Sequence, residues 1–529
     1  MRILIADIQG GRYSALFYCM KKIILLIIAF ILVLAFSACT GDTLSGTTLT
    51  YGSSDIVRIN PAMDEHGEIN PLLFDGLTDR DKNNEIIPCL AESWVYDESN
   101  YTYTFSLRDD VKWHDGERFT AHDVKFTFEA IMNPDNHSEI ASNYEEVESI
   151  TVADDFTVSF RLSAPNFAFL DYMTMPILPE HLLAGENMQT SDFFLAPVGT
   201  GPYVIKEREE GQAIILTKNE GYFLGAAAID NIVFRIVGDD ISKALMLKSG
   251  ELDLAQVSPA DAQGIKEEPG LTVYRMKTAD YRGIMYNFAN EYWQRNADLI
   301  PAINYAVDRQ SIADSVLLGC GQPAYSPIQL NKYNYDGVEK YEYNPARAEQ
   351  LLLSAGCVKR EDGFCYRNGE KIGFTVNVNA DDRVRIDMAM AASQQLRAIG
   401  VDMKVAIPET VDWSAQEAYL IGWGSPFDAD DHTYKVFGTG KGANYSSYSN
   451  PAADRYLTEA RRTSDEALRA DAYKNFQIEF ANNPAYTLLC YIDALYAARD
   501  NISGIDKDVV LGHHGVGIFN NITEWTINN

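Results

Sequence analysis

Basic charge is in short supply in this 529-residue chain: 44 Lys and Arg stand against 75 Asp and Glu, a formal charge of −31. That balance excludes DNA, RNA or an anionic membrane surface as partners held by charge attraction. The 7 cysteines contain no CxxC pair, which leaves a structural zinc site of that kind without support. HExxH, GxSxG and the EF-hand loop are all missing. Gly438-Thr439-Gly440-Lys441 imitates the end of a P-loop, but Gly442 stands where magnesium needs Ser or Thr, and position 435 is Lys instead of Gly. Gly319-x-Gly321-x-x-Ala324 imitates a dinucleotide fingerprint, yet it ends a helix instead of following a strand. His114-Asp115 reads as part of a turn and not as an acid/base pair. No enzyme and no cofactor are expected.

What is present is apolar, long and addressed. With 46% hydrophobic residues the chain is globular, and its length suffices for two or three lobes. Met20-Lys21-Lys22 precede an apolar run from Ile23 to Phe36, then Ser37-Ala38-Cys39, the order of a secretory signal. Residues 1–19 precede a signal that already starts well at Met20 and read as a start-site artefact. An uncleaved membrane anchor is the alternative, with the same compartment. Losing residues 1–38 removes four basic groups and one acid, so the mature chain is more acidic still. Cys357 and Cys365 flank an Asp362-Gly363 turn; they read either as a disulfide of an oxidising compartment or as two buried thiols.

Residues 91–134 carry the strongest pattern. Tyr101, Tyr103, Phe105 and Leu107 alternate with Thr102, Thr104 and Ser106, the period of a strand with one buried face. Asp115-Gly116 marks a turn. Thr120 and Asp123 form a capping box for a helix with Val124, Phe126, Phe128 and Ile131, which stops at Asn133-Pro134. Further on, the spacing predicts strands on either side of Glu210-Gly211, a strand at 232–237, a helix at 242–248 closed by Gly250 and a strand at 252–255. A helix over 301–321 follows, then a capped helix from Asn344-Pro345, a strand over 371–379, a helix over 384–399 and a strand over 401–407.

The literal string W-H-D-G-x-x-F-T-A-x-D-V (113–124), after A-E-S-W (91–94) and Y-T-F (103–105), resembles the signature of the extracytoplasmic solute-binding proteins that serve peptide and nickel ABC importers. V-G-T-G-P-Y (198–203), A-I-N-Y-A-V-D-R (302–309), Y-N-P-A-R-A (343–348) and A-I-G-V-D-M (398–403) follow in the same family order. The resemblance runs from about residue 50 to the end. It implies an α/β, two-lobe periplasmic-binding-protein fold (type II, large three-domain variant) with two hinge strands and an inserted domain. By it, residues 20–38 are a lipoprotein signal and Cys39 carries the lipid, although Phe36 stands where the lipobox usually has leucine. Residues 39–48 are a tether, 48–84 with 197–285 and 486–529 form lobe one, 85–196 the inserted domain and 286–485 lobe two. Tyr281–Phe288 and Tyr486–Tyr491 are the expected hinge strands.

The resemblance also places a ligand. The segment Ile421–Tyr434 faces the cleft, with Trp423, Ser425, Asp428, Asp430, Asp431 and Tyr434 as expected contacts. In many peptide-binding members an aspartate three residues after that tryptophan pairs with the ligand's α-ammonium; here the position is Pro426. Asp428, Asp430 or Asp431 can replace it, or these acids simply cap the next helix. The alternative cargo is a nickel chelate, for which His66, His513 and His514 are the expected metal contacts, imidazole being a common nickel ligand; the plain alternative for each is a surface loop. A short peptide is the first expectation and a nickel chelate the second. The implied partners are an importer's permease and ATPase and a membrane reached through the lipid anchor, with no nucleic acid and a monomeric receptor. A membrane-tethered sensor or adhesin on the same scaffold is the third reading.

Overall fold

A computed structural model describes residues 44–54, 56, 58–63 and 67–528. The expected signal at 20–38, Cys39, most of the expected tether and His66 lie outside the described residues. From Thr47 onward the chain forms one compact unit. Strand β1 (Thr48–Ser53) opens it. The 91–134 stretch then gives β2 (Ala91–Asp97), β3 (Thr102–Leu107) and helix α1 (Ala121–Met132). Tyr103, Phe105 and Leu107 are buried as the alternation requires. Tyr101 departs from it: the hairpin pairs Asp97 with Thr102, so Tyr101 falls in the loop at φ 58°. Helix α1 starts as expected, with Asp123 Oδ2 accepting from Thr120 N (2.9 Å) and Thr120 Oγ1 from His122 N (3.3 Å). Strands β4 (Val147–Asp154) and β5 (Thr157–Leu162) complete an antiparallel sheet of order β2-β3-β5-β4.

The larger sheet has eleven strands. Its first wing continues with β6 (Tyr203–Glu209), β7 (Ala213–Lys218), β8 (Asn231–Ile236), helix α2 (Asp240–Ser249) and β9 (Leu254–Gln256). Then comes the long β10 (Leu271–Tyr286). The expected 301–321 helix is two helices, α3 (Ile300–Ala306) and α4 (Arg309–Ser315). Asp308 causes the break: its carboxylate accepts from Ser311 N (2.9 Å), an N-cap that needs non-helical backbone at that residue. The buried Arg309 takes up carbonyls beside the break, donating to Asn304 O (3.0 Å) and Leu488 O (2.7 Å). After β11 (Gly321–Pro323) come α5 (Pro345–Ser354), β12 (Val358–Lys359), β13 (Cys365–Arg367) and β14 (Gly373–Asn377). The chain continues through α6 (Arg383–Ala398), β15 (Asp402–Ala406), β16 (Ala418–Trp423), α7 (Asp431–Phe437), α8 (Pro451–Arg462), α9 (Glu466–Asn482) and β17 (Tyr486–Arg499).

The order β15-β14-β16-β10-β17-β9-β1-β8-β7-β6 puts the antiparallel β10–β17 pair at the seam between the two wings, with β11 paired to β17. Of the expected hinge segments, Tyr486–Tyr491 lies wholly in β17, whereas Tyr281–Phe288 runs two residues past the end of β10 at Tyr286; the strands themselves reach Leu271 and Arg499. One core joins the first wing to the four-stranded sheet through Tyr51, Phe234, Phe105 and Phe160. Two others fill the second wing, around Trp293 and Phe374 and around Trp423 and Phe476.

The Cys357–Cys365 disulfide is not formed; both thiols are free and buried. The hairpin register pairs Lys359 with Cys365, so Cys357 sits on the diagonal and not opposite. Diagonal neighbours are about 7–8 Å apart, beyond the usual reach of a disulfide. The Cys365 thiol donates to Ile399 O instead (3.4 Å).

Candidate functional site

The site begins with an irregularity in a strand. The β10–β17 ladder breaks between Lys277 and Tyr281, and such a bulge re-aims the side chains it releases. Leu511 N donates to Lys277 O (2.8 Å), which docks the 511–516 loop on the bulge. Asp280, wholly buried, then meets that loop: its carboxylate accepts from His513 Nδ1 (2.9 Å) and His514 N (3.2 Å) and pairs with Arg282 Nη1 (2.7 Å). Burial alone would raise this carboxyl, but Arg282 and the imidazoles outweigh it and hold it well below the usual carboxylate range. Burial depresses His513 to about 4, and burial with the neighbouring His513 depresses His514 further. Both rings are therefore neutral near pH 7, the form in which imidazole ligates metals.

The end of β16 passes against the bulge. A Cβ on Gly424 would lie 2.1 Å from Ala279 O, and its φ is 147°, so glycine is required there. This approach brings the preceding Trp423 onto His513, with ring centroids 5.6 Å apart and planes 18° from parallel. His432 meets both edge-on, 5.2 Å from Trp423 and 5.5 Å from His513. His432 Nδ1 accepts from Gly424 N (3.1 Å), which puts the neutral ring's proton on Nε2. His513 is the reverse: its Nδ1 proton goes to Asp280, so its lone pair is on Nε2. Ser425, Asp431, His432 and His513 line a cleft of about 780 Å³ together with Arg80 and Asp171, which contact the same segment, Arg80 over the Phe427 ring (3.9 Å) and Asp171 accepting from Asp428 N (3.1 Å).

The expected acids divide. Asp428 is held by Arg469 through Nη1–Oδ2 (2.7 Å) and Nη2–Oδ1 (2.8 Å). Burial nevertheless pushes its carboxyl up to about 6, against the pull of Arg469. Asp430 is wholly buried, accepting from Arg461 Nε (3.1 Å) and the Tyr172 hydroxyl (2.6 Å). Neither faces the cleft, and Asp430 makes no side-chain cap of α7. Tyr434 also turns away: its hydroxyl donates to Glu145 (3.3 Å) and the Arg461 guanidinium lies 3.5 Å above its ring. Only Asp431 reaches the cleft, paired with Lys435 Nζ (3.1 Å).

Trp423, Ser425, Asp431 and His513 are thus brought together. His514 lines an adjoining cavity. Sequence reasoning passed over His432, although it stands inside the quoted 421–434 segment. It had no signal for Asp280, whose role depends on the bulge. Among the described residues no three His, Cys, Asp or Glu side chains converge to hold a bare metal ion.

Comparison with known proteins follows the same lines. The family described as bacterial extracellular solute-binding proteins, family 5 Middle, matches residues 85–447. Protein XP55 of Streptomyces lividans is 32% identical over 479 residues, 88% of this chain and 87% of the relative. Two solved structures are alike across nearly the whole chain. NikZ from Campylobacter jejuni in complex with Ni(L-His) has a TM-score of 0.85 at 35% identity, covering 92% of this chain and 100% of that one. The oligopeptide-binding protein AppA from Bacillus subtilis in complex with a nonapeptide has a TM-score of 0.82 at 28% identity, covering 92% and 99%.

Proposed function

Since the chain belongs to the bacterial extracellular solute-binding proteins of family 5 and has their mixed α/β type II fold, we propose that it is an extracytoplasmic receptor delivering a small nickel chelate to an ABC importer. The observation that carries this reading is the His432–His513 pair on the cleft wall, packed against Trp423, with His513 oriented by Asp280. A carboxylate on the second nitrogen of an imidazole fixes its tautomer and ring direction, as around many metal sites. A chelate brings most of its own donor atoms, so one or two imidazoles suffice where three protein ligands do not converge. The relative solved with Ni(L-His) supports the same cargo.

A short peptide, the first expectation from sequence, is the second reading, supported by the AppA relative. Against it, Pro426 occupies the usual anchor position, and Asp428 and Asp430 already hold Arg469 and Arg461. The remaining parts of the reading are a lipid anchor at Cys39 after a signal at 20–38, lobes with the boundaries given above, a monomer and no catalysis. Ligand contacts made only when the lobes are shut shift an open–closed equilibrium, and the importer reads the closed form.

The test is metal analysis of protein purified without chelator from nickel-supplemented medium. Wild type is expected to retain nickel near one per chain, and His513→Ala to lose it. Equal retention in His513→Ala rejects the role given to this histidine, and a metal-free wild type rejects the chelate reading.

A further inference from the structure

Two cavities meet at the histidine pair. His513 lines the cleft, and His514 lines a second chamber of about 450 Å³ that shares Gly67, Asn70 and Val516 with it. The chamber lies at the carboxyl ends of the parallel strands β1 and β9, bordered by Ser53 and Gln256. Open α/β sheets place their ligands at such ends, and the volume falls low in the range of about 300–1,000 Å³ typical of small-molecule pockets.

Its walls carry opposite charges, Glu68 and Lys243, that form no ion pair with each other. Glu68 accepts the Tyr51 hydroxyl (2.7 Å) and the Tyr496 hydroxyl (3.5 Å), both on Oε1. Burial pushes this carboxyl up, while the Tyr51 hydrogen bond and the Lys243 charge oppose the rise. Lys243 is about nine-tenths buried, and its ion-pair partner is an exposed carboxylate, Asp240, at 3.5 Å. Lys243 and Glu68 face one chamber without an ion pair between them. Lys243 thus leans on one exposed carboxylate, and the half-buried Glu68 accepts only neutral hydroxyls, so each can take an opposite charge from a ligand.

We propose that this chamber is a second binding site, which takes a free α-amino acid as its zwitterion, with the ammonium against Glu68 and the carboxylate against Lys243. Both contacts are charge-assisted hydrogen bonds, and the ligand's dipole runs head to tail between the two walls. The site needs no metal, so it stands apart from the chelate reading.

Calorimetric titration of metal-stripped protein with L-alanine, L-glutamine and L-histidine tests it. Each is also offered as its methyl ester, which lacks the carboxylate, and as its N-acetyl form, which lacks the ammonium. Saturable binding of at least one free amino acid is expected, with both blocked forms weakened at least tenfold. Glu68→Gln and Lys243→Met should each weaken the free amino acid at least tenfold with unchanged far-ultraviolet circular dichroism. Absence of binding by all three amino acids overturns the proposal, as does equal binding of free and blocked forms. The blocked ligands decide the matter on wild-type protein even where a variant fails to fold. Binding that survives both substitutions places the amino acid elsewhere and equally overturns it.

Discussion

Buried carboxylates with different neighbours behave differently at the residue scale. Asp280 has a guanidinium and imidazoles and stays ionised. Asp75 has only neutral donors, the Thr200 hydroxyl (2.7 Å) and the Tyr222 hydroxyl (2.8 Å) among them, and burial pushes it up to about 6. A carboxyl with a raised folded-state pKa binds its proton more tightly in the native protein than in the unfolded chain. Its contribution is therefore fully present below about pH 4 and lost as pH rises to about 6. Two pH units correspond to roughly 3 kcal/mol. Urea unfolding of wild type and Asp75→Asn across pH 4 to 7 should show the difference between them changing by up to that amount, in that window. A difference independent of pH would exclude this assignment. At the site, Asp280→Asn removes the charge that orients His513 and should weaken nickel-chelate binding about 10- to 100-fold, the usual cost of losing such a partner. Unchanged affinity in the titration would show that His513 needs no such support. Residue types legible in the sequence were only half informative here. Trp423 and His513 stood in recognisable segments. Asp428 and Asp430 were misjudged because Arg469 and Arg461, which neutralise them, lie on later helices, 41 and 31 residues further on.

The elements show why local pattern went as far as it did. Alternation and capping fixed β3 and α1 because both signals are local. The boundaries of β10 were not legible, since its extension to Leu271 depends on pairing with β17, some two hundred residues away. The split between α3 and α4 was legible in principle, through Asp308 as a cap, but the apolar period ran across it. The V-G-T-G-P-Y landmark has a physical basis as well. A Cβ on Gly199 would lie 1.7 Å from Leu73 O, and Gly199 exchanges backbone and side-chain hydrogen bonds with His114, His114 N to Gly199 O (2.9 Å) and Gly199 N to His114 Nδ1 (3.1 Å). Overpacking against backbone is among the few causes of large destabilisation. Gly199→Ala should cost about 3 kcal/mol or more in denaturant unfolding, and a change below about 0.5 kcal/mol, typical of a tolerant surface position, would contradict the close approach.

At the scale of the whole molecule, the segment carrying the four-stranded sheet and the second wing are joined by polar contacts. Tyr172 and Arg461 meet on Asp430, Arg462 reaches Glu146, and Phe167 N donates to Arg461 O (3.0 Å). Buried ion pairs gain little net stability because desolvation offsets their attraction. On the proposed receptor reading, contacts of that kind would let the cleft shut and reopen without a large energy gap, and the ligand would decide the balance. The identity of that ligand is the central claim. Calorimetric titration of metal-stripped protein, with Ni(II) in the presence of L-histidine and separately with a mixed pool of short peptides, tests it most directly. Saturable one-to-one binding of nickel only when L-histidine is present, with no response to peptides, is the predicted result. Saturable peptide binding unaffected by metal would contradict it.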